Sequence, residues 1–175
     1  LNIININDNA PSDISITQLT VQEGSEDNSF ISGISTTDAD GGDAPTLQFV
    51  LDDGSLSDTF NSLLLENGRL LVAPNADFDF ETRPNFTFTV LAADEDGLSF
   101  SKEFNMNVTD ANETPSDVRL NNATVVEGNP TDSLIGTLFA TDPDDINDTG
   151  TYSFALTNDA GGRFKIEGAD VLILD

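Results

Sequence analysis

Apolar residues recur at every second position along most of this chain. Phe86, Phe88, Val90 and Ala92 alternate with Thr87, Thr89, Leu91 and Ala93. Phe104, Met106 and Val108 alternate with Asn105, Asn107 and Thr109, and Leu47, Phe49 and Leu51 alternate with smaller or polar neighbours. A period of two marks a strand with one buried face, because successive side chains point to opposite sides; a helix repeats every 3.6. The alternation breaks at Gly24, Gly41-Gly42, Asp53-Gly54, Asn67-Gly68, Pro74, Pro84 and Gly97. Such residues accept turn dihedrals or lack an amide donor, so the runs between them read as short strands. About seven strands per roughly 100 residues predict an all-β sandwich. Asn67-Gly68, between Leu65 and Leu70, predicts a tight hairpin. Residues 55–63 are the one stretch that reads as helical or irregular.

The pattern also repeats on a longer scale. Asn9-Ala10-Pro11-Ser12-Asp13-Ile14 returns as Glu113-Thr114-Pro115-Ser116-Asp117-Val118, Val21-Gln22-Glu23-Gly24 as Val125-Val126-Glu127-Gly128, and Thr37-Asp38-Ala39-Asp40 as Thr141-Asp142-Pro143-Asp144. The offset is 104 positions each time. Leu47-Gln48-Phe49 matches Tyr152-Ser153-Phe154 within one residue, Phe60 matches Phe164, and Gly68-Arg69-Leu70-Leu71 corresponds to Gly168-Ala169-Asp170-Val171. Residues 1–10 therefore read as the end of a preceding repeat with its linker, 11–110 as a complete repeat, and 111–175 as a C-terminally truncated copy. The chain opens inside a strand-like run, Leu1 to Ile6, and so reads as part of a longer protein.

Composition narrows the chemistry. Hydrophobic residues make up 37%, with 12 Phe and no Trp, which suits thin cores filled by phenylalanine and aliphatics. No apolar run approaches the ~18–20 residues that span a membrane. Thirty-two acidic residues against six basic ones leave a net charge of −26, which argues against nucleic acid and anionic membranes as partners. The absence of Cys and His removes disulfides, thiolate chemistry, Cys-type zinc sites and the commonest general base. What remains is hard oxygen chemistry, which suits Ca²⁺ or Mg²⁺.

The acids cluster at strand ends: Glu23, Asp38, Asp40, Asp79, Glu81, Asp94 and Asp110, then Glu113, Glu127, Asp142 and Asp144. Carboxylates this dense repel one another unless a cation intervenes. Pairs at i and i+2 (Asp38/Asp40, Asp79/Glu81, Asp142/Asp144) converge readily on one ion from a loop. Asp53, Asp58, Asp132 and Asp159 read as solvated turn residues, while Asp43, Asp145 and Asp148 lie beside the sites and either ligate or add field.

Five motifs occur in a fixed order: Asn7-Asp8-Asn9-Ala10-Pro11, Glu23 in Gln-Glu-Gly, Asp38-Ala39-Asp40-Gly41, Asp79-Phe80-Glu81, and Val90-Leu91-Ala92-Ala93-Asp94. Together they resemble the cadherin repeat over essentially the whole chain. The resemblance implies tandem seven-stranded Greek-key β-sandwiches with calcium at each junction between repeats. Carried onto this sequence, the junction near residue 110 takes Glu23, Asp79 and Glu81 from the first repeat, Asp110, Asn112 and Glu113 from the linker, and Asp142 and Asp144 from the second repeat, with Thr114 offering its carbonyl. Asn7, Asn9, Asp38, Asp40 and Asp94 form the outermost site of the preceding junction. Three departures stand out. The linker after Asp110 is one residue short, with Glu113 in place of Asp; Asn5 stands where Asp is usual; and Phe80 replaces the Arg between the paired acids.

The function these observations predict is a calcium-rigidified extracellular adhesion or spacer module. The lack of Cys, the acidity and the Asn/Asp/Thr-rich style read as a bacterial surface protein. The alternative is a repeat that itself binds a ligand, such as a cell-surface polysaccharide or protein or a matching repeat. A hydrolase built on Asp79/Glu81 or Asp38/Asp40 is disfavoured, because ligation keeps the carboxylates ionised and no insertion forms a cleft. Asn-x-Thr triplets at Asn85, Asn107, Asn112, Asn122 and Asn147 read as a consequence of abundant Asn and Thr.

Overall fold

The computed structural model describes residues 8–40, 45–145 and 149–174. It divides into two units, Leu1–Ala111 and Asn112–Asp175. Among the described residues every regular element is a strand.

Unit 1 contains β1 (Asp13–Ile16), β2 (Thr20–Gln22), β3 (Phe30–Thr37), β4 (Thr46–Val50), β5 (Leu56–Ser57), β6 (Thr59–Phe60), β7 (Leu63–Glu66), β8 (Arg69–Val72), β9 (Asn85–Ala93) and β10 (Ser99–Thr109). They form two five-stranded sheets, ordered β1-β3-β8-β7-β6 and β2-β10-β9-β4-β5. β1 and β2 are successive parts of one stretch that changes sheet. Counting them together, and setting aside the two-residue β5 and β6, leaves seven strands in a Greek-key sandwich. Residues 55–63 are not helical: they hold β5, β6 and the start of β7 around short turns.

The alternation read from the sequence is the alternation of burial. In β9, Phe86, Phe88, Val90 and Ala92 face inward; in β10, Phe104, Met106 and Val108 do the same. They meet Ile14, Val21, Ile31, Phe49, Leu63, Leu70 and Val72 in one core. Phe49 packs edge-on to Phe88 with centroids 5.7 Å apart, and Phe88 stacks on Phe104 at 5.7 Å, geometries that suit the ring quadrupoles. The Asn67-Gly68 hairpin joins Glu66 to its partner Arg69, and both turn residues have positive φ (51° and 70°), as a type I′ turn requires.

Unit 2 contains β11 (Asp117–Leu120), β12 (Leu134–Thr141), β13 (Phe164–Glu167) and β14 (Asp170–Ile173), in one sheet ordered β11-β12-β14-β13. This is the order of β1-β3-β8-β7. Asp13 lies opposite Thr37 and Asp117 opposite Thr141; the register slips between Phe30 and Ser32 and again between Leu134 and Gly136. Later the registers fix different partners from those suggested by the sequence match. Leu63 pairs with Val72, and its counterpart Phe164 pairs with Ile173, so Phe164 stands for Leu63 and not for Phe60. The turn Gly168-Ala169 replaces Asn67-Gly68, so Gly168 stands for Asn67 and not for Gly68. Tyr152-Ser153-Phe154 forms no strand, although its counterpart lies in β4. In unit 1 that strand is held by β9, and no described strand plays that part in unit 2.

One exchange between the units concerns the bulge. Ser32, 2% exposed, accepts the Gln18 N–H on its hydroxyl at 3.1 Å and shares a hydrogen bond with the Thr17 hydroxyl at 3.2 Å. Unit 2 has Gly136 there, with Asn121 and Asn122 in place of Thr17 and Gln18. Asn121 Oδ1 accepts the Thr137 N–H at 2.9 Å, and Asn122 Nδ2 donates to the Ile135 carbonyl at 2.6 Å. A Cβ on Gly136 would sit 2.5 Å from the Asn122 carbonyl.

Candidate metal centre

The strand registers separate the acids of unit 1 into two groups. Ser99 lies opposite Ala93, and Lys102 on β10 reaches Asp13 at 2.7 Å, while Thr109 lies beside Gln22. The start of β1, the end of β3 and the β9–β10 turn therefore share one end of the sandwich. The ends of β2 and β10 and the approach to β9 share the other.

At the second end, Glu23 follows β2 and is 4% exposed. Its Oε2 accepts the Phe80 N–H at 2.7 Å, and its Oε1 accepts the Ala111 N–H at 2.5 Å. One oxygen each of Glu23, Asp79 and Glu81 lie within 4.8 Å of one another. The turn after Phe78, whose ring is buried in the core, delivers Asp79 and Glu81 on either side of Phe80. Asp79 accepts the Thr82 N–H at 2.7 Å and its hydroxyl at 2.8 Å; the N–H first and the hydroxyl second hold this carboxyl below the usual Asp value. Among the described residues neither Glu23 nor Asp79 takes part in an ion pair. Asp110 follows β10 directly, and its carbonyl accepts from Gln22 Nε2 at 3.4 Å.

At the first end, Asp40 is 9% exposed. Its Oδ2 accepts the N–H groups of Asn9 (2.6 Å) and Asp8 (3.0 Å), and its Oδ1 accepts Asn9 Nδ2 at 2.9 Å. The Asn9 side-chain amide, with the Asn9 and Asp8 N–H groups, keeps the Asp40 carboxyl below its ordinary range. Asp38 Oδ1 accepts the Asp40 N–H at 2.9 Å. Asp94, 8% exposed, opens the β9–β10 turn and accepts the N–H groups of Asp96 and Leu98 on Oδ1. Among the described residues its Oδ2 is buried with no hydrogen-bond partner. Buried carboxylate oxygens are normally satisfied, so this orphan fits a cation ligand. Asn7 lies outside the described residues.

Unit 2 rebuilds part of the first-end arrangement. Glu113 N–H donates to Asp144 Oδ2 at 2.7 Å, and Asp144 N–H donates to Asp142 Oδ1 at 3.1 Å. These bonds match Asn9 to Asp40 and Asp40 to Asp38. Glu113 thus takes the place of Asn9, and the substitution in the short linker is Glu for Asn at that position. Asn112 Nδ2 donates to the Glu113 carbonyl at 3.0 Å. Asp145 is a loop cap, accepting Thr149 N–H at 2.8 Å, Gly150 N–H at 2.7 Å and the Tyr152 hydroxyl at 3.0 Å.

A scan against protein-family models and a search of curated proteins each found no match. Solved structures do match. Human protocadherin-24 EC1-2 aligns with a TM-score of 0.57 at 18% identity, covering 95% of this chain and 78% of that one. Mouse cadherin-23 EC22-24 aligns at 0.55 and 21%, over 96% and 55%. The extracellular cadherin domains 1-4 of protocadherin gamma B7 align at 0.55 and 18%, over 98% and 42%. The fold is cadherin-like. This chain spans less than half of the gamma B7 structure it matches.

In this cadherin-like frame, Glu23, Asp79 and Glu81 come together in unit 1, as do Asn9, Asp38 and Asp40. Sequence reading passed over the backbone donors that hold them: Phe80, Ala111, Asp8 and Thr82. Their N–H groups leave no mark in the sequence, although Asp8 and Phe80 lie inside the Asn7–Pro11 and Asp79–Glu81 motifs. Asp8 was also passed over as a side chain, although its Oδ1 accepts Asn9 Nδ2 at 2.8 Å.

Proposed function

We propose that this chain is a calcium-binding extracellular module of a tandem array, serving adhesion or spacing. The observation that carries the reading is the trio Glu23, Asp79 and Glu81. Three carboxylate oxygens within 4.8 Å, one on a buried residue, form a concentrated negative site. An all-oxygen set of this kind suits Ca²⁺, which takes six to eight oxygen ligands, and carries no nitrogen or sulfur for a softer metal.

Glu23, Asp79, Glu81 and Asp110 are the proposed ligands at one end of unit 1. Asn7, Asn9, Asp38, Asp40 and Asp94 serve the other end. Asn112, Glu113, Asp142 and Asp144 are the proposed ligands of unit 2. Calcium supplies the positive charge that lets these carboxylates stay close. The protein fixes the oxygens beforehand with backbone N–H groups, so little ordering remains when the ion arrives. Sharing ions between successive repeats, which rests on the likeness of the linker motifs, turns a string of domains into a stiff rod. An extracellular setting follows from the same reading, since the matched structures are extracellular cadherin domains.

Calcium titration followed by amide NMR tests the proposal. Saturable shifts at Glu23, Phe80, Glu81 and Asp110, reversed by chelator and not produced by equal magnesium, are expected. A titration without saturable shifts at those residues would refute it.

A further inference from the structure

Two-residue turns close the same hairpin in both units: Asn67-Gly68 between β7 and β8, and Gly168-Ala169 between β13 and β14. The first pair carries chemistry that the second lacks. The nitrogen of the residue after an asparagine can attack the asparagine's amide carbon and expel ammonia, provided that no side chain crowds it. Asn67-Gly68 is the one Asn-Gly pair in the sequence. Asn28, Asn61 and Asn75 share its left-handed backbone, with φ of 61°, 50° and 59°, but Ser29, Ser62 and Ala76 follow them and shield the nitrogen.

Unit 1 both exposes this pair and holds it back. Asn67 and Gly68 lie in solvent at the hairpin tip. Among the described residues the Gly68 N–H donates to no protein acceptor, while the Gly68 carbonyl accepts the Ile34 N–H at 2.9 Å. The nitrogen is free, and the residue that carries it is anchored to β3. A type I′ turn, the mirror of type I, sets ψ of its first central residue at about 30°. At that angle the Asn67 side chain leaves Cα nearly opposite the Gly68 nitrogen. Attack needs the peptide between them to rotate out of the turn, against the Ile34 bond and the Glu66–Arg69 pairing.

We propose that Asn67-Gly68 is a self-modification site, held shut by the folded turn and released when the β7–β8 hairpin opens. The Gly68 nitrogen gives its proton to water or hydroxide and bonds to Asn67 Cγ. The Cγ–Nδ2 bond breaks, ammonia leaves, and a succinimide ring remains. Water then adds to either ring carbonyl. Addition at one restores the normal main chain with an aspartate; addition at the other gives isoaspartate, whose main chain runs through Cβ and is one carbon longer. Water is the only reactant. The longer chain no longer fits a two-residue loop, so Glu66 and Arg69 lose their pairing and β8, which lies between β3 and β7, loosens on that side. The turn of unit 2 cannot react, because Gly168-Ala169 has no side-chain amide.

The test ages the 175-residue chain at neutral and mildly alkaline pH, beside a free peptide of residues 63–72. Mass spectrometry of proteolytic digests follows the conversion of amide to acid, and labelling by an isoaspartate-specific methyltransferase counts the isoaspartate. Conversion should concentrate at Asn67 and rise with pH. It should run at least about tenfold more slowly in the folded chain than in the peptide, because the rate carries the hairpin's opening equilibrium. Urea that unfolds the chain should bring the two rates together. Gly68→Ala should slow the reaction severalfold even in urea, where strain in the turn plays no part. The isoaspartate fraction of the aged chain should show faster hydrogen exchange in β7 and β8, with unit 2 unchanged. Equal rates in folded chain and peptide would overturn the proposal. So would conversion falling mainly on Asn28 or Asn61, or none at Asn67 in the folded chain even when it is aged warm, below its melting point. Isoaspartate that leaves exchange in β7 and β8 as in the parent would overturn the effect on the hairpin.

Discussion

Replacing Glu23 by Gln separates what the carboxylate does for the fold from what it does for calcium. Glu23 is 4% exposed and each of its oxygens accepts one backbone N–H, from Phe80 at 2.7 Å and from Ala111 at 2.5 Å. Gln keeps the shape but only one acceptor. Its amide NH₂ would face one of the two N–H groups, donor against donor. Losing one charge-assisted bond and leaving that N–H unmet costs about 1–3 kcal/mol. In a unit of this size each kcal/mol moves the melting point by roughly 4–8 °C, so in chelator the variant should melt some 5–20 °C below the parent. Calcium adds a second contribution. If the site binds in the ~0.1–1 mM range of extracellular modules, 5 mM free calcium stabilises the parent by about 1–2 kcal/mol per site. That increment should fall to less than half in the variant. The assay is thermal unfolding by far-UV circular dichroism, in chelator and in calcium, with peptide-resolved hydrogen exchange assigning the transition to unit 1. Equal melting of variant and parent in chelator would refute the hydrogen-bonding argument. A full calcium increment in the variant would remove Glu23 from the ligand set, whatever happened in chelator.

Three further outcomes are expected. Met106→Ala, at a fully buried site, should cost about 2–5 kcal/mol in urea unfolding with an unchanged m-value. Gly136→Ser forces a Cβ to within 2.5 Å of the Asn122 carbonyl, a backbone atom that cannot swing away, so unit 2 should lose about 1–3 kcal/mol, seen as faster exchange in β12 and β14. The Lys102 ammonium, hydrogen-bonded to Asp13 at 2.7 Å, holds the Asp13 carboxyl below its usual 3.8. Because the folded-state value is the lower one, the contribution is complete above 3.8 and is lost as pH falls through the folded value. In chelator, the stability gap between the parent and Asp13→Asn should therefore shrink below pH 3.8; a gap constant down to pH 2 would refute it.

Much of this architecture was legible because strands write their buried face at every second residue. Phe86 to Ala92 and Phe104 to Val108 needed no further information. The repeat was equally plain up to Thr141, where motif and register keep one offset. Beyond that, the chain loses three residues before β13, and matching Phe to Phe joined Phe60 to Phe164. Backbone pairing instead equates Phe164 with Leu63, because ladder hydrogen bonds fix register regardless of side-chain likeness. Tyr152-Ser153-Phe154 has the strand pattern, but among the described residues no strand pairs with it. For the acids, the sequence marked which carboxylates gather but not the amides that aim them. Every residue has an N–H, so the roles of Phe80 and Ala111 leave no trace in composition. Asp53, Asp132 and Asp159, read as turn residues, do hold turn or surface contacts: Asp53 accepts the Ser55 N–H, Asp159 the Gly161 N–H, and Asp132 meets Lys165.

The exchange of Ser32 for Gly136 bears on how arrays of this kind can evolve. Tandem copies invite unequal crossing-over, which joins the front of one copy to the back of another. A junction falling between the Thr17/Gln18 position and the Ser32 position would combine Asn121-Asn122 with a serine, and the hydroxyl's carbon would strike the carbonyl already there. The reciprocal product would set Thr17-Gln18 against a glycine, leaving the Gln18 N–H without its acceptor. Both recombinants begin life with a fault in a buried bulge. A crossover within the fifteen-residue stretch from Gln18 to Ser32 should therefore give a less stable product than one outside it.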